Sequence, residues 1–69
     1  MRQIKVGDIW ASGEPNDYSY CKYHITAVGV DKVLCYEHPF PHEMNTIETD
    51  MYKSRILDKC YFIKGKPNA

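Results

Sequence analysis

Charge of one sign, long apolar runs and paired cysteines are all missing from this chain of 69 residues. Nine basic residues are balanced by nine acidic ones, and no basic block stands out. Affinity for a phosphate backbone comes mostly from clustered Lys and Arg, so the balance argues against indiscriminate nucleic-acid binding as the main activity. It leaves room for a local patch. Arg2, Lys5, Lys64 and Lys66 lie at the two ends, where neighbouring first and last strands would gather them along one edge. The plainer reading of those side chains is ordinary solvated lysines. No apolar run approaches the ~20 residues that span a bilayer. No signal peptide precedes Val6, so a soluble, cytoplasmic protein without membrane association is expected. Cys21, Cys35 and Cys60 make an odd count, whereas a secreted disulfide scaffold usually carries an even one. Internal repeats and low-complexity tracts are also absent.

What is present is aromatic. The chain is 43% hydrophobic and 13% aromatic, with six Tyr, two Phe and one Trp. Each buried ring removes roughly 150–250 Å² from water, enough for a small core. The length fits one domain, residues 1–69, that buries only about 60% of its unfolded surface and so has a thin margin of stability.

The chain organises around Lys5-Val6-Gly7-Asp8-Ile9-Trp10. Gly7 tolerates positive φ and Asp8 bonds its own following backbone, which predicts a tight turn after a short lead-in strand over Met1–Lys5 and before a first strand at Ile9–Ala11. Ser12 to Asp17 is dense in turn formers and predicts an exposed loop. Tyr18 to Val28 predicts the longest strand. Counting by twos places Cys21, Tyr23, Ile25 and Ala27 on a core face, and Tyr20, Lys22, His24 and Thr26 on the other. Gly29 to Lys32 turns the chain into a third strand, Val33 to His38, which is apolar on both faces. Such a strand is either covered on both sides or keeps one face for a partner.

Pro39-Phe40-Pro41-His42 cannot continue a ladder and predicts a loop with an aromatic at its centre. A short fourth strand is expected over Asn45–Thr49. Asp50 is then expected to cap a helical turn from Met51 to about Ile56, with Tyr52 and Ile56 on one face. Cys60 to Lys64 predicts a last strand, and the residues after it a frayed tail. The expected fold is mostly β: a small five-stranded SH3-like antiparallel barrel with one short helical turn near the C-terminus.

Cys21-x-x-His24 and Cys35-x-x-His38, with His42 beyond, have the look of zinc-ligand pairs. Residues three apart in a strand point to opposite faces, so the members of each pair should diverge. Neither metal nor cofactor is expected, and the cysteines read as small buried hydrophobes. Nothing in the sequence places a nucleophile beside an oriented base, so no catalytic residue is assigned.

The Val6-Gly7-Asp8-Ile9-Trp10 opening, the Tyr23-His24-Ile25-Thr26-Ala27-Val28 strand and the closing Asp50 to Lys64 segment together resemble the small SH3-like barrel proteins of bacteriophages and prophages. The proline-bracketed loop from Pro39 to Glu43 departs from that pattern, since such proteins turn more simply there. The resemblance implies a non-catalytic adaptor or inhibitor that binds a larger host protein, as a monomer or weak homodimer. Trp and Tyr carry disproportionate energy at interfaces, so Trp10, Tyr20, Tyr36, Phe40 and His42 are the expected partner-binding residues. For Trp10, core packing competes evenly with that role. The alternative is a nucleic-acid-binding small barrel that stacks bases on exposed aromatics beside Lys and Arg.

Overall fold

A computed structural model describes residues 3–39 and 48–65, with the side chain of Pro39 excepted. Phe40, His42 and the rest of the proline loop lie outside the described residues, as do positions 45–47 of the expected fourth strand.

The Gly-Asp turn forms as the sequence dictates. Gly7 sits at φ 91°, a conformation that costs glycine nothing. The Asp8 N–H donates to the Lys5 carbonyl at 3.1 Å. Asp8 itself is buried, and its Oδ2 accepts from the Lys5 N–H at 3.0 Å and from the Trp10 Nε1–H at 3.2 Å. The turn is pinned to the sheet by Gly7 N–H to Ile25 O and Ile25 N–H to Asp8 O, both 2.9 Å. Residues 3–5 form no strand, contrary to the expected lead-in; Ile4 instead drops into the core.

Five strands follow: β1 (Ile9–Ser12), β2 (Cys21–Val28), β3 (Lys32–Pro39), β4 (Glu48–Tyr52) and β5 (Tyr61–Lys64), with helix α1 (Lys53–Lys59) between the last two. They make one antiparallel sheet in the order β4-β3-β2-β1-β5. Among the described residues no ladder joins β4 to β5, so the sheet is open, and the closed barrel of the sequence-based expectation is not formed by its hydrogen bonds.

Cross-strand partners share a face, and the register therefore sorts the side chains. Trp10, Tyr23, Ile25, Val33, Cys35 and Met51 line the core face, where Ile4 and Ile56 of α1 complete the packing. This answers which side of β3 is interior: Val33 and Cys35 are sealed, while Leu34 is 39% exposed. The even count along β2 fails at one point. A bulge between Ile25 and Ala27 sets Ala27 opposite Leu34, so Ala27 lies on the outer face rather than in the core.

Asp50 does not cap a helix. It belongs to β4 and pairs with Lys32 at 3.3 Å, while the Lys53 N–H at the start of α1 donates to the Asp31 carbonyl at 2.8 Å. The expected pairing of Tyr52 with Ile56 fails for the same reason: Tyr52 ends the strand and is exposed, whereas Ile56 is fully buried.

Candidate binding surface on the outer face of the sheet

Across the outer face the strands present Tyr61 and Lys64 from β5, Ile9 and Ala11 from β1, Lys22 and His24 from β2, Tyr36 and His38 from β3, and Glu48 from β4. Tyr20, one residue before β2, lies within electrostatic reach of Tyr61. Ala11 is fully covered because Lys22 and Tyr61 flank it in register. Of the Tyr20, Lys22, His24 and Thr26 row read from the sequence, the register sets Lys22 and His24 side by side on this face, and β3 adds Tyr36 and His38 beside them.

The centre of this face is a pair of imidazoles. His24 and His38 lie diagonally across β2 and β3 with ring centroids 4.2 Å apart and planes tilted by 51°. Partial burial, then the charges of His38, Lys22 and Lys64, push the His24 pKa below its ordinary 6.5. All three charged groups acting on it are cationic. Acidic groups border this face as well: Glu48 Oε2 accepts from Thr26 Oγ1 at 2.8 Å, and the Glu14 carboxylate acts on Tyr61. Further along, Lys32 and Asp50 pair, with the Lys32 ammonium 4.7 Å from the Tyr52 ring.

The expected site residues thus separate. Tyr20 and Tyr36 are half-buried on the outer face. Trp10 is only 5% exposed; its indole is tied to Asp8 and its ring meets Phe62 edge-on at 5.7 Å, so the core claims it. Sequence reasoning missed His24, His38, Lys22 and Lys64 as a group. The signal was the matched spacing of Lys22/His24 and Tyr36/His38 on two strands of a hairpin, which fixes the four side chains on one face once the turn is placed.

The cysteines go the other way. Cys21 and Cys35 share the core face, opposite the imidazoles, so sulfur and nitrogen do not converge. Burial pushes the Cys35 thiol up to about 11 and raises Cys21 and Cys60 as well. Burial also carries the Tyr23 phenol up to about 12, and Ser12 and Cys21 are its hydrogen-bond partners. At neutral pH these four groups stay protonated, so none of them is itself an activated nucleophile or base. A cleft of about 310 Å³ beside them, lined by Tyr23, Glu37, Thr49, Met51 and Arg55, is open and polar.

The β5 edge is a second feature. Tyr61, Phe62 and Ile63 are exposed by 41%, 37% and 39%, and Ile63 falls where the register with β1 shifts. Tyr61 is held by its hydroxyl, which donates to the Gly13 carbonyl at 2.9 Å. That carbonyl is fixed by the loop fold: Gly13 sits at φ 80°, and a Cβ there would overlap the Ser19 backbone.

No family model, curated protein or solved structure matches the chain. Among the described residues no helix is long and apolar enough to cross a membrane.

Proposed function

We propose that this chain is a non-catalytic protein-binding module of SH3-like design, acting in the cytoplasm as an adaptor or inhibitor that docks a larger partner along the β5 edge. The order β4-β3-β2-β1-β5, with a short helix between the last two strands, supports the SH3-like reading. So does the Asp8-held turn of the Val-Gly-Asp-x-Trp opening, the stretch that carries the resemblance to phage and prophage proteins.

The observation that carries the binding reading is the edge strand itself. Edge strands are the places where sheets recruit another chain, and proteins usually blunt them with charge or proline. Here three consecutive apolar side chains precede the single charge of Lys64. Protonated thiols and phenol on the core face favour binding over catalysis.

The test is an affinity capture of the tagged protein from bacterial lysate, with and without nuclease, read by mass spectrometry. One stoichiometric protein that survives nuclease and is lost with Ile63→Lys supports the reading, because Ile63 faces no core residue in register. Equal recovery by Ile63→Lys, with its melting temperature unchanged, would sink it.

A further inference from the structure

We propose that the cleft between α1 and the β3–β4 side of the core face is a binding site for a free α-amino acid, whose ammonium meets Glu37 and whose carboxylate meets Arg55. The site lies away from the β5 edge and goes beyond the docking reading.

The cleft encloses about 310 Å³, at the lower end of the ~300–1,000 Å³ of small-molecule sites. Its walls are Tyr23 from β2, Glu37 from β3, Thr49 and Met51 from β4, and Arg55 from α1. The register sets Glu37 opposite Tyr23 and Thr49 opposite Cys35, all on the core face. Glu37 is therefore a half-buried carboxylate on the apolar side of the sheet, and its charge reaches Cys35 and Cys21. A carboxylate drawn part-way out of water is costly without a partner.

Among the described residues that line the cleft, Arg55 is the one cation. No ion pair joins it to Glu37. The other acidic groups beside it are paired: Asp50, also on the cleft wall, has Lys32 at 3.3 Å, and Asp58 on α1 has Lys59 at 3.4 Å. The elements that carry the two charges are fixed. β3 is laddered on both sides, to β2 and to β4. Helix α1 is seated by fully buried Ile56 and by the Lys53 N–H, which donates to the Asp31 carbonyl at 2.8 Å. The gap between acid and base is thus part of the fold, and a site held ready in this way spares the ligand the cost of ordering it.

The signs choose the ligand. A simple anion gains Arg55 and is repelled by Glu37; a simple amine meets the reverse. A molecule that carries both charges close together gains from each, and an α-amino acid carries them on one carbon. The planar guanidinium offers a carboxylate two parallel hydrogen bonds. Met51 and the Tyr23 ring supply apolar surface for the ligand's side chain, with the thioether adapting to its shape. An apolar amino acid of leucine or methionine size suits that wall.

The experiment is an NMR titration of the isotope-labelled full chain at neutral pH with L-leucine and L-methionine. N-acetyl-L-leucine, which lacks the ammonium, and L-leucinamide, which lacks the carboxylate, are titrated beside them. Saturable shifts of the Tyr23, Glu37, Thr49, Met51 and Arg55 amides, with each derivative binding about ten-fold more weakly than leucine, support the proposal. In Arg55→Gln the advantage of leucine over leucinamide should vanish, and in Glu37→Gln its advantage over N-acetyl-leucine; the spectra themselves report that each variant is folded. Ile63→Lys should bind leucine as the wild type does, so this site and the β5 edge fail separately. Absence of saturable shifts near the solubility limit of both amino acids overturns the proposal. So does equal binding of leucine and its two derivatives, or a preference for leucine that survives both substitutions.

Discussion

The core face ties its buried carboxylate to donors close by in sequence; the outer face gathers Lys22, His24, His38 and Lys64 from three strands beside one another. On the inside, the Asp8 carboxylate takes hydrogen bonds from Lys5 N–H and the Trp10 indole. A buried charge is costly unless it is bonded, and here it is bonded by groups only two and three residues away in sequence. On the outside, partial burial first, and then the neighbouring His38, Lys22 and Lys64, make His24 hold its proton less firmly. Satisfied polarity marks the side that builds the fold.

The sharpest way to break this contrast is to damage the core face. Ile56→Ala removes the fully buried side chain by which α1 reaches the sheet, and should cost about 4 kcal/mol in chemical denaturation. Asp8→Ala leaves the Lys5 N–H and Trp10 indole without their acceptor and should cost about 3 kcal/mol. If Asp8→Ala costs no more than a surface substitution, Asp8 is not what holds the turn.

Smaller effects sharpen the contrast from the outer side. The His24 pKa is lowered on folding, so the unfolded chain takes up a proton first as pH drops below 6.5. Stability present above 6.5 should therefore decline as pH falls through the lowered folded value, more steeply in the wild type than in His24→Gln. Parallel pH profiles for the two proteins would remove His24 from the account. At neutral pH His24→Gln itself should change stability by no more than about 0.5 kcal/mol. Alkylation by iodoacetamide should reach half-buried Cys21 and Cys60 before Cys35, which is sealed and raised to about 11. Peptide mapping over time reads the order.

Much of the fold was legible because it is written in local signals. Gly7 and Asp8 announce their turn, Gly29 to Lys32 the hairpin, and the alternation around Ile25 the inward face of β2. What the alternation could not show was the bulge at Ile25/Ala27, since an inserted residue leaves no mark in a count by twos. Asp50 misled for a related reason. An acidic residue before a short apolar run suits a helix cap, but Lys32 across the ladder offers it an ion pair and α1 begins three residues later. The candidate surface was half legible. Tyr20 and Tyr36 stand out as aromatics on one face, whereas the His24–His38 contact exists only through the β2–β3 register, 14 residues apart in sequence. Trp10 was ambiguous because a large ring beside a turn suits core and interface alike; the bond from its indole to Asp8 decided for the core.

The most direct measurement is an NMR titration of the His24 imidazole in the wild type and in Lys22→Gln and His38→Gln variants. A wild-type midpoint below 6.5 that climbs back towards 6.5 in each variant is the predicted result. A midpoint at or above 6.5, unmoved by either substitution, would mean that a carboxylate and not a crowd of cations surrounds His24, and the contrast between the two faces would fail.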